Sequence, residues 1–389
     1  MKIAYVFHHD AANPAVQSGR PAALLREFVS QGHEVERIFP LAVASSRTDL
    51  AKKVGYRILR KQHRHDRNTG YLDALASQFA DRTAGRTFDL VFSPGSEVVS
   101  HLPAGLPIAY CADATFANLV DYYWDFTGLS AEYVREGFAQ EKAALSRALL
   151  AVYPSEWAAR SAIEQHEADP ARVAVIPFGA NLGGDNRRAG ILAAVARRPA
   201  DPIKLLFVGR HWQRKGGDLV VATAMCLIAH GHPVQLDVVG CDLPGPYRDL
   251  PWIRAHGLLQ QTIPGDMIAL RQLYAEAHFL FVPSRAEAYG LTFTEACAFG
   301  VPAVSTQTGG IPAIVHHGEN GLLLPLDAQP TDYADAIVAT FREPARYQAM
   351  CHRAFDEFEQ RLNWPTFTQR LLDCVRERLE GRAVAAAAG

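Results

Sequence analysis

No apolar run in this chain approaches the ~20 residues that a bilayer-spanning helix requires, so a membrane-spanning protein is not expected. Cysteine is sparse and scattered. Cys111, Cys226, Cys241, Cys297, Cys351 and Cys374 form no C-x-x-C pair, and no histidine cluster stands at zinc-ligand spacing. That argues against a disulfide-stapled scaffold or a structural zinc module, and it suits reduced thiols in the cytoplasm. The formal charge of only −2 gives no global reason to expect nucleic acid as a partner. A signal peptide is not expected either: Met1-Lys2-Ile3-Ala4-Tyr5-Val6-Phe7 reads as a strand running straight into His8-His9-Asp10. No internal repeat is visible, and the alanine-rich tail at 383–389 is expected to fray.

What is present is ordinary for a globular protein: 49% hydrophobic and 21% charged residues over 389 positions, enough for two or three domains. Short apolar runs alternate with helical patterns. Strands are expected at 3–7, 34–39, 90–93, 108–111, 149–153 and 173–177, with helices at 21–31, 131–148 and 156–167 among them. Composition shifts over 181–200, which carries Gly183-Gly184-Asp185-Asn186. A second set follows, with strands at 203–208, 234–239, 278–282, 302–305 and 321–325. Its helices are expected at 217–230, 266–277, 291–299 and 311–315, before an amphipathic helix at 364–379. Such alternation implies parallel sheets covered on both faces. The expected architecture is α/β, two Rossmann-like doubly wound domains facing each other across a cleft, with ligands outside the carboxyl ends of the strands. The expected domains are 1–185 and 186–363, with 364–389 as a helix returning to the first.

The chemistry concentrates at two strand ends. The run 203–208 leads into Gly209-Arg210, and Lys215-Gly216-Gly217 opens the next helix. A guanidinium grips phosphate as a planar fork, and an ammonium adds a mobile charge. The run 278–282 leads into Pro283-Ser284-Arg285-Ala286-Glu287-Ala288-Tyr289-Gly290, then a helix near Leu291 whose free N–H groups suit an anion. Glu287 and Glu295 straddle that glycine. Carboxylates beside an anion pocket make sense where they accept hydroxyl donors, and a sugar nucleotide supplies hydroxyls on both sides of its diphosphate. The bland alternatives are a loop solvated by Arg210, Arg214 and Lys215, and a capping or surface Glu295. Thr308-Gly309-Gly310-Ile311-Pro312 is a third glycine turn that opens a short helix.

In the first half, Gln17-Ser18-Gly19-Arg20-Pro21 follows the first strand, with Arg20 as a phosphate or acceptor contact or else part of an ordinary helix-opening turn. Asp113 follows the run 108–111 and either orients a sugar or acceptor hydroxyl or caps the next helix. The stretch 47–67 holds eight cations against Asp49 and Asp66. It suits anionic lipid headgroups or a phosphorylated or lipid-linked acceptor, or it is a solvated face.

With Gly209-Arg210…Lys215-Gly216, Glu287 and Glu295 with seven residues between them, Thr308-Gly-Gly-Ile-Pro and Asn320-Gly-Leu-Leu-Leu-Pro, the chain resembles the family 4 retaining glycosyltransferases of the two-domain GT-B fold. Tyr153-Pro-Ser-Glu-Trp157 and Val175-Ile-Pro-Phe-Gly179 extend the resemblance through the end of the first domain. The resemblance implies transfer of a sugar from a nucleoside diphosphate sugar to an acceptor hydroxyl, without a protein nucleophile. Arg210 and Lys215 would bind the donor diphosphate, Glu287 the donor sugar and Glu295 the ribose diol. His256-Gly257-Leu258 would lie near the base, and Tyr289, Gly290, Leu291 and Thr292 would line the donor. Gly19 and Arg20 would face it from the first domain. The catalytic set would be Glu287, Asp113, Arg210 and Lys215. Ala313 stands where many members carry glutamate, and one glycine, Gly19, where they usually have two. No D-x-D pair occurs, which favours charge neutralisation by protein cations over a bound Mg²⁺ or Mn²⁺; no metal or other cofactor is expected. A sugar-nucleotide epimerase and a non-catalytic binding subunit are the rival readings.

Overall fold

The structure is a computed structural model that describes residues 1–182 and 186–388, with side chains described as far as Gly381. Gly183, Gly184 and Asp185 of the composition shift lie outside the described residues, as do the side chains of the alanine-rich tail. The chain forms two compact units, Met1–Ile176 with Phe367–Gly389, and Pro177–Thr366. The change of unit comes at Ile176/Pro177 and again at Thr366/Phe367.

In the first unit, strands β1 (Lys2–Val6), β2 (Glu34–Ile38), β3 (Leu90–Ser93), β4 (Ile108–Cys111), β5 (Leu150–Tyr153) and β6 (Val173–Val175) pair in the order β2-β1-β3-β4-β5-β6. All five pairings are parallel. The four residues of β3, β4 and β5 are buried throughout. This is the pattern of a sheet covered on both faces, and it explains why these strands appear in the sequence as continuous apolar runs. The helices that cover it begin at side-chain caps: Ser46, Asn68, Ser130 and Ser155 each accept from a backbone N–H three residues on.

The second unit repeats the plan. Strands β7 (Ile203–Val208), β8 (Val234–Val239), β9 (Ile253–Ala255), β10 (Phe279–Phe281), β11 (Ala303–Thr306) and β12 (Gly321–Leu324) pair in parallel in the order β12-β11-β10-β7-β8-β9. The order reverses direction beside β7 and β10, which is where open α/β sheets hold ligands. β9 was not anticipated, because Ile253-Arg254-Ala255 is a half-exposed edge with no apolar run. The helices Thr69–Thr83, Arg188–Ala196, Pro330–Phe341 and Pro344–Gln360 were not anticipated either. The short helix expected at 311–315 is a single 3₁₀ turn, Ile311–Ala313.

Candidate functional site

β7 and β10 are neighbours, so the segments that leave their carboxyl ends run side by side. Gly216 caps the helix Gly217–Ala229 with φ +77°, and any Cβ there would overlap the Pro283 carbonyl oxygen. Only glycine allows this approach. The two segments are then sewn together. The Arg285 N–H donates to the Arg214 carbonyl at 2.8 Å, and the Arg214 guanidinium donates to the Ala286 carbonyl at 2.8 Å.

This seam delivers Glu287 to Lys215. Both side chains are buried, and the ammonium donates to Glu287 Oε2. The same oxygen lies 3.4 Å from Arg214 Nη1 and 3.5 Å from the Ser284 hydroxyl. A third segment closes behind: the Gly310 N–H donates to the Glu287 carbonyl at 3.1 Å, and Gly310 packs so tightly on the Ala288 carbonyl that no Cβ fits. Arg210 is exposed beside this group and has no hydrogen-bond or ion-pair partner among the described residues. Three cations, Arg210, Arg214 and Lys215, thus accompany one paired carboxylate. The local excess of positive charge favours an anion, and partial burial keeps it from being fully screened.

Glu295 lies one turn into the helix Leu291–Cys297, which follows Gly290 at φ +92°. It is buried, and it accepts from the Tyr274 hydroxyl at 3.1 Å. That hydroxyl also lies 2.8 Å from Thr292 Oγ1, so Thr292 orients the tyrosine rather than standing free. Burial pushes the Glu295 carboxyl up to about 7, against the opposing pull of the Tyr274 hydrogen bond and the Lys215 charge. Tyr289 is buried with its hydroxyl donated to the Phe178 carbonyl at 3.0 Å, which leaves its main chain as the part near the loop. Leu291 is half-buried at the start of the helix.

His256-Gly257-Leu258 follows β9. The Gly240 N–H, just beyond β8, donates to the Gly257 carbonyl at 2.7 Å, and the Gly209 N–H donates to the Val239 carbonyl at 2.9 Å. A His256 ring nitrogen lies 2.7 Å from Asp237 Oδ1 on β8, while Leu258 is exposed. The second-unit residues singled out from the sequence therefore gather at the carboxyl ends of four consecutive strands, β10, β7, β8 and β9. Arg214, Tyr274 and Asp237 belong with them and were missed. Arg214 was legible only as loop charge, and the other two lie inside apolar patterns. Among the described residues no group of three or more His, Cys, Asp or Glu is placed to hold a metal ion.

In the first unit, Gln17 and Ser18 take left-handed backbone conformations ahead of Gly19, an arrangement that costs side-chain-bearing residues energy. Arg20, expected to face a phosphate or acceptor, is buried. Its Nη1 donates to the Cys111 carbonyl at 3.1 Å and its Nη2 to Gln17 Oε1 at 2.6 Å, so it ties the first helix to the end of β4. Asp113 is exposed just past β4. The helix-capping role weighed for it belongs to Thr115, which forms a capping box with Asn118.

Comparison with known proteins agrees with this geometry. Residues 202–343 match the family model described as "Glycosyl transferases group 1". The chain is 29% identical over 243 residues to a D-inositol 3-phosphate glycosyltransferase of Thermobispora bispora, covering 57% of this chain and 54% of that protein. It is 30% identical over 230 residues to the Mycolicibacterium paratuberculosis protein of the same name, covering 57% and 51%. The chain thus spans about half the length of the curated relatives it matches. Among solved structures, a sucrose-phosphate synthase from Thermosynechococcus elongatus superposes with a TM-score of 0.69 at 18% identity, over 98% of this chain and 100% of that one. Anabaena HepE in complex with UDP superposes at 0.62 and 17% identity, over 97% and 100%. Residues 202–343 thus carry the match to the group 1 glycosyl transferases, and the chain as a whole shares the GT-B fold of its structural neighbours.

Proposed function

We propose that the protein transfers a sugar from a nucleoside diphosphate sugar to an acceptor hydroxyl with retention of the α configuration, and needs no bound metal to do so. The observation that carries the reading is the buried Lys215–Glu287 pair, braced by Arg214 and flanked by unpartnered Arg210, at the carboxyl ends of β7 and β10. In this reading Arg210 and Lys215 meet the diphosphate, whose charge grows as the bond to the sugar breaks, and fixed cations stabilise that growth without reorganising. Glu287 accepts from donor-sugar hydroxyls. Glu295, once ionised, accepts from the ribose diol. His256-Gly257-Leu258 lies toward the base. Asp113 orients the incoming hydroxyl, and the departing diphosphate takes its proton. Positioning supplies most of the remaining rate.

A uridine nucleotide is the first donor to try, because HepE of the same fold is solved with UDP and with UDP-glucose. For the acceptor, the relatives' name supports a phosphorylated polyol, while the glycan or lipid-linked acceptor of polysaccharide or glycoconjugate assembly is the other reading. A cytoplasmic location belongs to the same proposal, in keeping with six unpaired cysteines. The test is incubation of UDP-, GDP-, ADP- and TDP-sugars with inositol phosphate and with glycan acceptors, reading nucleoside diphosphate release and the anomeric configuration of the product. An α-linked product supports the reading. Epimerised donor without transfer, or a β-linked product, overturns it.

A further inference from the structure

The stretch 47–67 resolves into parts with different roles. Lys52 is 2.5 Å from Glu132, and Arg67 is buried against Glu97 at 3.1 Å with its guanidinium over the Phe116 ring. These two cations are structural. The helix Arg47–Ile58 has no buried residue at all. It is held along one side only: Tyr56 donates to Glu132 Oε2 at 2.9 Å and stacks on His63, and Asp49 accepts from Asn68 at 3.0 Å. On the opposite side Leu50, Val54 and Ile58 recur every four residues, and they are 54%, 61% and 77% exposed; Leu59 just beyond is 67% exposed. A water-facing helix side is ordinarily polar. Here the side facing away from the body is the apolar one.

Cations border that stripe. Arg47, Lys53, Arg57, Arg60 and Lys61 are exposed, and none of their side chains has a hydrogen-bond or ion-pair partner among the described residues. A cavity of about 470 Å³ opens beside the helix, lined in part by Lys53, Arg57, Lys61, Arg64, Asp49 and Asp66. Four cations against two carboxylates leave it net positive, and it is large enough for a phosphate headgroup. Among the described residues no helix is long and apolar enough to cross a membrane. An amphipathic helix with outward apolar residues and flanking Lys and Arg suits a position in the plane of an interface, with its side chains in the headgroup boundary.

We propose that the helix Arg47–Ile58 docks this protein on an anionic lipid bilayer, with Leu50, Val54 and Ile58 entering the interface and the Lys53, Arg57 and Lys61 cavity taking a lipid phosphate. The charge complementarity is specific to this stretch, because the whole chain carries a formal charge of −2. Attraction to such a surface falls off within a Debye length, about 8 Å at physiological salt, so only side chains on this face contribute.

The experiment is sedimentation of the full chain with vesicles of phosphatidylcholine alone and of phosphatidylcholine with phosphatidylglycerol, across a salt series. Binding is expected only to the anionic vesicles, with release as salt rises. The triple reversal K53E/R57E/K61E should abolish it. The triple polar variant L50S/V54S/I58S, which retains every cation, should weaken it at least tenfold. All six side chains are exposed, so thermal unfolding of both variants should match the parent and rule out misfolding. Absence of binding to anionic vesicles at low salt overturns the proposal. Binding that survives the apolar substitutions also overturns it and leaves charge adsorption alone. A thermal shift with soluble inositol phosphate that is lost in the reversal, without vesicle binding, would assign the cavity to a soluble phosphorylated acceptor instead. None of these outcomes bears on donor chemistry in the second unit.

Discussion

Removing the Lys215 ammonium leaves the buried Glu287 carboxylate with Arg214 as its remaining close cation, 3.4 Å away. Loss of one charge-assisted bond costs about 1.5–3 kcal/mol. Lys215→Ala is therefore expected to lower the thermal midpoint. It should also slow transfer roughly ten- to hundredfold, because the same charge faces the leaving group. Glu287→Gln separates the two roles. It keeps the shape and removes the negative charge, so free nucleoside diphosphate should bind at least as well while turnover falls steeply; equal loss of both would place Glu287 away from the sugar. Glu295 carries a pH prediction. Its carboxyl is raised to about 7 in the fold, well above the ordinary carboxylate range, so the folded chain holds a proton that the unfolded chain has lost. Stability from this group is complete below about pH 4.5 and is lost as pH rises through 7, on the order of 2–3 kcal/mol. Glu141 in the first unit is raised to about 7 by burial as well, so wild-type pH dependence alone is ambiguous. The informative quantity is the difference between wild type and Glu295→Gln in thermal midpoint at pH 5 and pH 8. The variant should gain relative to wild type at pH 8, and a constant difference would show that Glu295 ionises normally.

At the scale of the element, the site depends on loops held in contact rather than on any one helix. Gly310→Ala should force the segment 308–311 away from Ala288 and disturb the Glu287 carbonyl contact. Overpacking of this kind costs typically 1–3 kcal/mol. Donor affinity should fall together with the thermal midpoint, and unchanged donor binding would show that this seam is not part of the site. Much of this arrangement was legible beforehand, because strands buried on both faces appear as apolar runs and their carboxyl ends are fixed by where the runs stop. Glu287, Glu295, Arg210 and Lys215 could be placed on those ends for that reason. Arg214 could not, since a loop arginine that braces a carboxylate looks the same in sequence as one that faces water. The Lys215–Glu287 pair spans 72 positions, and nothing local encodes it. Arg20 shows the opposite limit: beside Gly19 it read as a phosphate or acceptor contact or as part of a helix-opening turn, and nothing local in the sequence encodes its burial with the guanidinium on the Cys111 carbonyl.

For the whole molecule, the account treats charge neutralisation as the protein's own work, so EDTA should leave transfer largely intact. Complete loss on chelation with recovery on Mn²⁺ or Mg²⁺ would reveal ligands that the reading lacks. The central claim is that the cations and carboxylates beyond β7 and β10 form a site for a nucleoside diphosphate sugar. The most direct measurement is thermal unfolding of wild type and of the double variant R210A/K215A across UDP-, GDP-, ADP- and TDP-sugars. A ligand that binds only the folded chain stabilises it by mass action, about 2.7 kcal/mol at a hundredfold excess over its Kd. The account predicts that one nucleotide class raises the wild-type midpoint in a concentration-dependent way and fails to do so in the double variant. No shift with any sugar nucleotide at millimolar concentration, or an equal shift in wild type and variant, would contradict it.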